Sequence, residues 1–366
     1  MENDDKDYHY IDDGLMLSEF LKSVRDKGNN DCAIDTEADS LHCYEEKLCL
    51  IQFATKDDLA IIDPLNIDDL TPLIDYLDTV NVWLHGADFD IRMFSRSFQK
   101  VPQIIYDTQT ASRLLGVRKF GLVNLVEDHF GVLLPKSSQK ANWGMRPLSD
   151  KMLKYAINDV RYLLQIADNL SEKLKDTNRW DWFIESCEHT KKVASQIKEK
   201  DPEMIWRISG WGKLERIGMA YLRELWFWRD GEAERKDKPT FKIVGNQDLI
   251  VMAERLQEGK EAYLPDRFSA APVKRFHEAI AEVNKMDEEK FPKIEKRKRK
   301  KKSPNFDSRF NKLKSFRDKI SRDLGIDPTL IASRAIMEGI AHDTKNFDDS
   351  LLNWQKELLL PCVEQL

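Results

Sequence analysis

The chain has 366 residues, more than one ordinary core accommodates, and its 41% hydrophobic content with nine Trp excludes a disordered protein. A formal net charge of −6 excludes a general polyanion binder, so any contact with nucleic acid has to come from local basic patches. Five cysteines (Cys32, Cys43, Cys49, Cys187, Cys362) without C-x-x-C spacing argue against a disulfide framework and against a zinc site. The N-terminal stretch is acidic with no apolar run behind it, unlike a signal or transit peptide, and no run of about 18 apolar residues is long enough for a membrane span. The expected address is the reducing cytoplasm.

Apolar positions at 17, 20, 21 and 24 predict a helix over 14–27, with Gly28 as its stop. Residues 31–35 read as a strand, followed by strands at Leu48–Ala54 and Leu59–Ile62; close turns between them predict an antiparallel meander. A short helix over 69–78, a strand over Val80–His85, a helix over 88–99, a strand over Gln103–Asp107 and a helix over 108–115 follow. Three strands and then alternating strands and helices give a mixed sheet flanked by helices.

Residues 132–148 lose periodicity and form a polar, Gly- and Pro-bearing loop with an embedded Trp143, a candidate contact loop. One long helix is predicted from Ser149 to about Lys175 and a charged one over 180–200. Pro202 and the Ile-Ser-Gly-Trp-Gly stretch at 208–212 mark a boundary. Beyond it the pattern is helical only, from Leu214 to Trp228, then 247–258 and 272–285, with a break at Lys238-Pro239. The run 293–302 is almost wholly basic and reads as a solvated linker and the strongest phosphate-binding signal outside the acidic sites, ahead of a nuclear address. Helices at 306–324, 328–341 and 348–359 close the chain. No internal repeat is visible, although the two helical blocks are similar in size.

Acidic residues recur at three places. Asp35 and Glu37 lie two apart on a strand and so point to one face. Side by side they repel each other, and they make sense around a hard divalent cation; alone they also fit a surface turn. In His85-Gly-Ala-Asp-Phe-Asp-Ile91 a strand gives way to a helix, and Asp88 and Asp90 are either metal-binding or first-turn acids on a helix dipole. Tyr155 and Asp159 are four apart and share a helix face; alone they read as a core tyrosine and a surface charge. Together, four carboxylates can hold two divalent ions roughly 4 Å apart, the clamp used for in-line phosphoryl displacement. A tyrosine beside them can orient water.

These residues resemble the motifs of the DEDD family of 3′→5′ exonucleases. Asp35-Thr-Glu37 resembles the first, His85-Gly-Ala-Asp-Phe-Asp90 the second and Tyr155-x-x-x-Asp159 the third, whose tyrosine marks the DEDDy branch. Tyr44, Leu48-Cys-Leu-Ile-Gln52, Asp63-Pro-Leu, Tyr106-Asp-Thr-Gln109, Trp143 and Arg146-Pro-Leu are similar to the ribonuclease D family, over residues 14 to about 175. Residues from about 212 to 285 resemble an HRDC domain, a small helical nucleic-acid-binding module, and 305–366 a second, more divergent copy. The resemblance implies a ribonuclease H-like α/β exonuclease domain over 1–203, an HRDC domain over 204–290, a basic linker over 291–304 and a divergent HRDC-like domain over 305–366.

It further implies Asp35, Glu37, Asp90 and Asp159 as ligands of two divalent ions, Mg²⁺ or Mn²⁺, and Tyr155 as the residue that positions water. Asp90 is preferred over Asp88 on the family's spacing alone. The implied reaction is hydrolysis of the 3′-terminal phosphodiester, releasing nucleoside 5′-monophosphates. The implied substrate is the single-stranded 3′ end of RNA, such as tRNA precursors, with no obligate protein partner. Lys136, Lys140, Trp143 and Arg146 are candidate substrate contacts, and His85 is another. For Trp143 and Arg146 the rival role is pinning the loop to the helix; for His85 it is packing under Asp90. Arg216, Arg223, Lys236, Lys238 and Lys242 are candidate phosphate contacts of the helical module, interleaved with acids that suit a solvated face. Single-stranded DNA is the alternative substrate, and a non-catalytic binding module the alternative class; retention of all four acids and the tyrosine favours the enzyme.

Overall fold

A computed structural model describes residues 7–135, 138–196, 201–293 and 303–366. Among these residues the chain forms two compact units. One comprises 7–38, 48–196 and 303–366; the other comprises 39–47 and 201–293. The basic run 293–302 lies outside the described residues apart from Lys293, as does Lys136.

The first unit is built on a six-stranded sheet of β1 (His9–Ile11), β2 (Asp31–Ala38), β3 (Leu48–Ala54), β4 (Leu59–Ile62), β5 (Asn81–Leu84) and β6 (Ile104–Asp107), in the order β1-β4-β3-β2-β5-β6. β2, β3 and β4 form the antiparallel meander expected, while β1 joins β4, and β5 and β6 extend from β2, in parallel. β1 escaped sequence reading because three residues bounded by acids carry no pattern. On one face Ile34, Ile51, Phe53 and Val82 share a core with Leu17 and Leu21 of α1 (Gly14–Asp26), Leu73 and Leu77 of α2 (Thr71–Leu77) and Ile91 and Phe94 of α3 (Asp88–Phe98). A second core holds Ala111 and Leu114 of α4 (Thr108–Leu114) and Leu125 and Val126 of α5 (Leu122–Phe130), packed with Leu170 and Phe183; α5 was not anticipated.

The long helix expected from Ser149 is two helices, α6 (Asp150–Arg161) and α7 (Leu163–Asp176), parted at Tyr162. The parting lets α6 lie on β2, β3 and β4 while α7 packs on α4, β2 and β5. Ser149 caps α6 as its sequence suggested, accepting from the Met152 amide. After α8 (Trp180–Ala194), the C-terminal helices of this unit are α14 (Phe306–Leu324), α15 (Pro328–Ile331), α16 (Arg334–His342), α17 (Asn346–Ser350) and α18 (Asn353–Val363), numbered in chain order after those of the second unit. This block is no separate body: Leu313, Ile340 and Trp354 share one apolar core with Leu170 and Phe183. Trp354 stacks on Trp182 at 5.0 Å, and Arg179 donates to the carbonyls of Leu114 and Leu324.

The second unit holds α9 (Pro202–Ile205), α10 (Arg216–Arg235), α11 (Thr240–Ile243), α12 (Asn246–Gln257) and α13 (Ala270–Asn284). α10 is its axis, burying Leu222, Leu225 and Trp228 against Leu249 and Phe276. Buried Arg229 donates to the Val244 carbonyl and to Asn246, and buried Glu232 pairs with Arg275 and Arg235. Residues 39–47 complete it: the Tyr44 hydroxyl donates to Asp230 at 2.9 Å and its backbone N–H to Asp237.

The loop before α6 is fastened by one ion pair in the first unit. Asp63 is fully buried and accepts from Arg146 (2.6 Å), the Tyr10 hydroxyl (2.8 Å) and the Leu65 amide (3.1 Å). Arg146 also donates to the carbonyls of Cys49, Trp143 and Met145. Burial pushes the Asp63 carboxyl up, but the hydrogen bonds from Arg146 and Tyr10 outweigh it and hold the group below its usual range. A depressed carboxyl contributes stability that is present above its unfolded value near 4 and lost as pH falls through the folded value. Arg146→Ala strands a buried charge and is expected to cost about 3–5 kcal/mol at pH 7. In denaturant melts the penalty should shrink toward pH 3, and a cost that is independent of pH would contradict this role.

Candidate metal-binding active site

Three elements converge on one crevice of the first unit. β2 carries Asp35 and Glu37 on the sheet face that α6 covers. The flanking core residues Ala33, Leu50 and Ala54 pack there with Leu153, Ala156 and Val160 of α6. α6 brings Asp159 to the same place. One carboxylate oxygen each from Asp35, Glu37 and Asp159 lies within 4.8 Å of the others. Tyr155, one turn earlier on α6, donates its hydroxyl to Asp159. Its ring lies 6.1 Å from that of Trp143.

The fourth acid enters from β5. The chain leaves β5 at Gly86, whose φ of +76° suits glycine. Asp107 at the end of β6 holds that turn by accepting from the Gly86 amide at 2.8 Å, while also capping α4 through Gln109 and Thr110. α3 then begins, with Asp90 in its first turn. Asp90 is buried, and its carboxylate accepts the Thr36 hydroxyl at 2.5 Å, which ties it between Asp35 and Glu37 on β2. Asp88, one of the two acids that spacing left open, is exposed and paired with Arg92 one turn along. Its side chain is spent on the helix surface.

The electrostatics are those of like charges held close together. Burial, then Asp35, Asp159 and Asp90, push Glu37 up to about 10. Burial and Asp159 drive Asp35 well above the carboxylate range, and burial and Asp35 do the same to Asp90 against the Thr36 hydrogen bond. Burial raises Asp159 to about 7, opposed by the Tyr155 hydroxyl. Two unit charges 4.8 Å apart repel by about 3 kcal/mol at an effective dielectric near 20. A cluster of carboxylate oxygens with no cation acting on Glu37 fits hard divalent ions. Burial, followed by Asp159, Glu37 and Asp35, also keeps the Tyr155 phenol protonated far above neutrality.

The expected substrate contacts divide. Lys140 is exposed and available. Trp143 is not a stacking surface: it is 1% exposed, packed in the core beneath α6. Arg146 is committed to Asp63 and three carbonyls and has no free fork for phosphate. Both residues pin the loop: the Trp143 indole fills the core under α6, and the Arg146 guanidinium offsets its desolvation by pairing with buried Asp63. His85 is half-buried with Nδ1 2.9 Å from Thr108 Oγ1. Thr108 donates its one proton to the Leu84 carbonyl, so Nδ1 must donate to Thr108, leaving Nε2 as the acceptor. Burial lowers the His85 pKa against the pull of Asp107, which keeps the ring neutral. Sequence reasoning missed Thr36, and of Asp107 it saw the cap of α4 but not the hold on the Gly86 turn; both of these depend on contacts between separate elements.

In the second unit Arg216 donates to the carbonyls of Glu288 and Phe291, and Arg223 pairs with Glu224. Lys236 sits over the Phe268 ring and Lys242 lies beside His42, while Lys238 is exposed. No described helix is long and apolar enough to cross a membrane.

Comparison with known proteins agrees with this geometry. A family model for the 3′-5′ exonuclease matches residues 8–175 and one for the HRDC domain matches 219–283. Ribonuclease D of Xanthomonas oryzae is 30% identical over 372 residues, covering 97% of this chain and 98% of that protein. Among solved structures, Escherichia coli RNase D superposes with a TM-score of 0.71 at 24% identity over 98% of both chains. A protein from Bifidobacterium adolescentis superposes with a TM-score of 0.84 at 20% identity, over 98% of this chain and 96% of the other. At these identities the structural matches speak for the fold alone. The full-length sequence match, together with the exonuclease and HRDC models in that order, places the chain in the ribonuclease D family.

Proposed function

We propose that this chain is a 3′→5′ exoribonuclease whose hydrolytic centre is the crevice of Asp35, Glu37, Asp90 and Asp159, with Tyr155 orienting the attacking water. The observation that carries the reading is the convergence of three half-buried carboxylates from β2 and α6 within 4.8 Å of one another, with buried Asp90 of α3 near enough to raise Glu37 and to be raised by Asp35. Two divalent ions bound there would lower the pKa of water and neutralise charge at the attacked phosphate and the leaving 3′-oxygen. Oxygen donors of this kind suit Mg²⁺ and Mn²⁺ alike. The protonated Tyr155 hydroxyl serves as a hydrogen-bond partner, fixed by Asp159, rather than as a base.

The substrate we assign is the single-stranded 3′ end of RNA, tRNA precursors among them. The sequence match to ribonuclease D of Xanthomonas oryzae, over nearly the whole of both chains, supports an RNA substrate. The cytoplasm is the corresponding address. Exposed Lys140 and the Nε2 of His85 are the groups best able to meet the terminal nucleotide.

We also read residues 305–366 as a divergent counterpart of the helical module at 204–290. In support, Arg229 of α10 donates to the carbonyl that ends α11, fifteen residues on, and Arg317 of α14 does the same at the end of α15. In each block a long helix is followed by a single turn and then a further helix.

Digestion of 5′-labelled RNA with Mg²⁺ should give a ladder shortening from the 3′ end, absent with EDTA. Tyr155→Phe is expected to lower kcat about 10²-fold with KM little changed, the scale of one lost water-orienting group. Asp35→Asn should lose more. No shortening of RNA by the wild-type chain would contradict the enzyme, and equal trimming of matched DNA would contradict the RNA assignment.

Stability should report the same charges. Carboxyls with raised folded values keep protons that the unfolded chain loses above about pH 4. Their contribution is therefore full in acid and falls as pH climbs toward about 7 for Asp159 and about 10 for Glu37. Between pH 5 and 8 the metal-free Tm of wild type should fall more steeply than that of Asp159→Asn, and Mg²⁺ should raise wild-type Tm more at pH 8 than at pH 5. Parallel pH profiles for the two proteins would count against the site.

A further inference from the structure

We infer that Gln52 is a positioning residue of the acidic centre, its side-chain amide donating to Asp35 when a divalent cation is bound; the inference rests on the reading of that centre given above. Gln52 lies on β3 as the register partner of Asp35 on β2. Directly opposed residues of an antiparallel pair project from the same face with Cβ atoms about 4.5–5.5 Å apart. That face is the one under α6, where Leu50 and Ala54, the neighbours of Gln52 on the same face, pack with Leu153, Ala156, Ile157 and Val160.

Gln52 is 0% exposed, and neither its Oε1 nor its Nε2 has a hydrogen-bond partner. A fully buried amide with nothing to bond is a standing cost to the fold, and a leucine or methionine of similar volume would avoid it. The cost is accounted for if the partner arrives with the cation.

The other donors point to which acid that partner is. Asp90 has the Thr36 hydroxyl and Asp159 has the Tyr155 hydroxyl. For Asp35 the donor acting on it is a backbone one, at Thr36. A carboxylate that gives one oxygen to a cation needs a donor on the other to hold its rotamer, and such outer partners tune metal affinity. Nε2 of Gln52 is an unspent donor directly across the ladder from Asp35. Oε1 of the same amide is left to accept from water of the cation's shell.

The test uses the full chain and Mn²⁺ alone as the probe. Calorimetric titration would compare wild type with Gln52→Leu, Gln52→Met and Asp35→Asn, with the metal-free Tm of each recorded in parallel. Both Gln52 variants are expected to bind Mn²⁺ about tenfold more weakly. Their metal-free Tm should be unchanged or higher, because the unmatched amide is gone. Binding within twofold of wild type would overturn the inference and leave the amide to a buried water. A sharp fall of metal-free Tm in both variants would also overturn it, making Gln52 a residue of the fold alone. If wild type takes up no Mn²⁺, or Asp35→Asn takes it up equally well, the acidic centre itself is misread and this inference falls with it.

Discussion

Mutual repulsion among four carboxylates, Asp90 buried and Asp35, Glu37 and Asp159 half-buried, is the constraint the rest of the first unit answers to. Asp35, Glu37, Asp90 and Asp159 would spread apart or neutralise if they stood on mobile segments. Each stands instead on an element anchored elsewhere: β2 between two paired neighbours in the sheet centre, α3 on a glycine turn held by Asp107, and α6 against three strands. The start of α3 also offers the positive end of its dipole to Asp90. The fold thus spends its rigidity on keeping like charges together, which is useful only to something of opposite charge.

Asp63 makes the contrast plain. It is as buried as Asp90, yet its environment depresses its pKa where that of Asp90 raises it. The difference lies in Arg146. A buried aspartate supplied with a guanidinium is structural, and it fastens the loop that leads into α6. The aspartates of the crevice have beside them only acids and neutral hydroxyls, which is the surrounding that the proposed cation site calls for. Residue type is identical in both cases, and the partner decides the role.

Much of this was legible in the sequence. Period-two spacing put Asp35 and Glu37 on one face, and the four-residue spacing of Tyr155 and Asp159 put them on one side of α6, as observed. What was not legible depended on partners far away in sequence. Spacing could not separate Asp88 from Asp90; Arg92 and Thr36 do so in space. Trp143 and Arg146 read equally as substrate contacts or as loop anchors until Asp63, more than eighty residues earlier, claimed the arginine. The parting at Tyr162 has no glycine or proline to announce it. The C-terminal block read as a separate module because its own periodicity says nothing of the core it shares with Leu170 and Phe183.

The most direct test of the account is to look for bound cations. Crystals of the wild-type chain soaked in Mn²⁺ would be measured at the manganese absorption edge. Two anomalous peaks roughly 4 Å apart, bracketed by Asp35, Glu37, Asp90 and Asp159, are the predicted result. Fully occupied Mn²⁺ elsewhere, with this crevice empty, would contradict the claim that these four carboxylates are assembled to hold divalent ions.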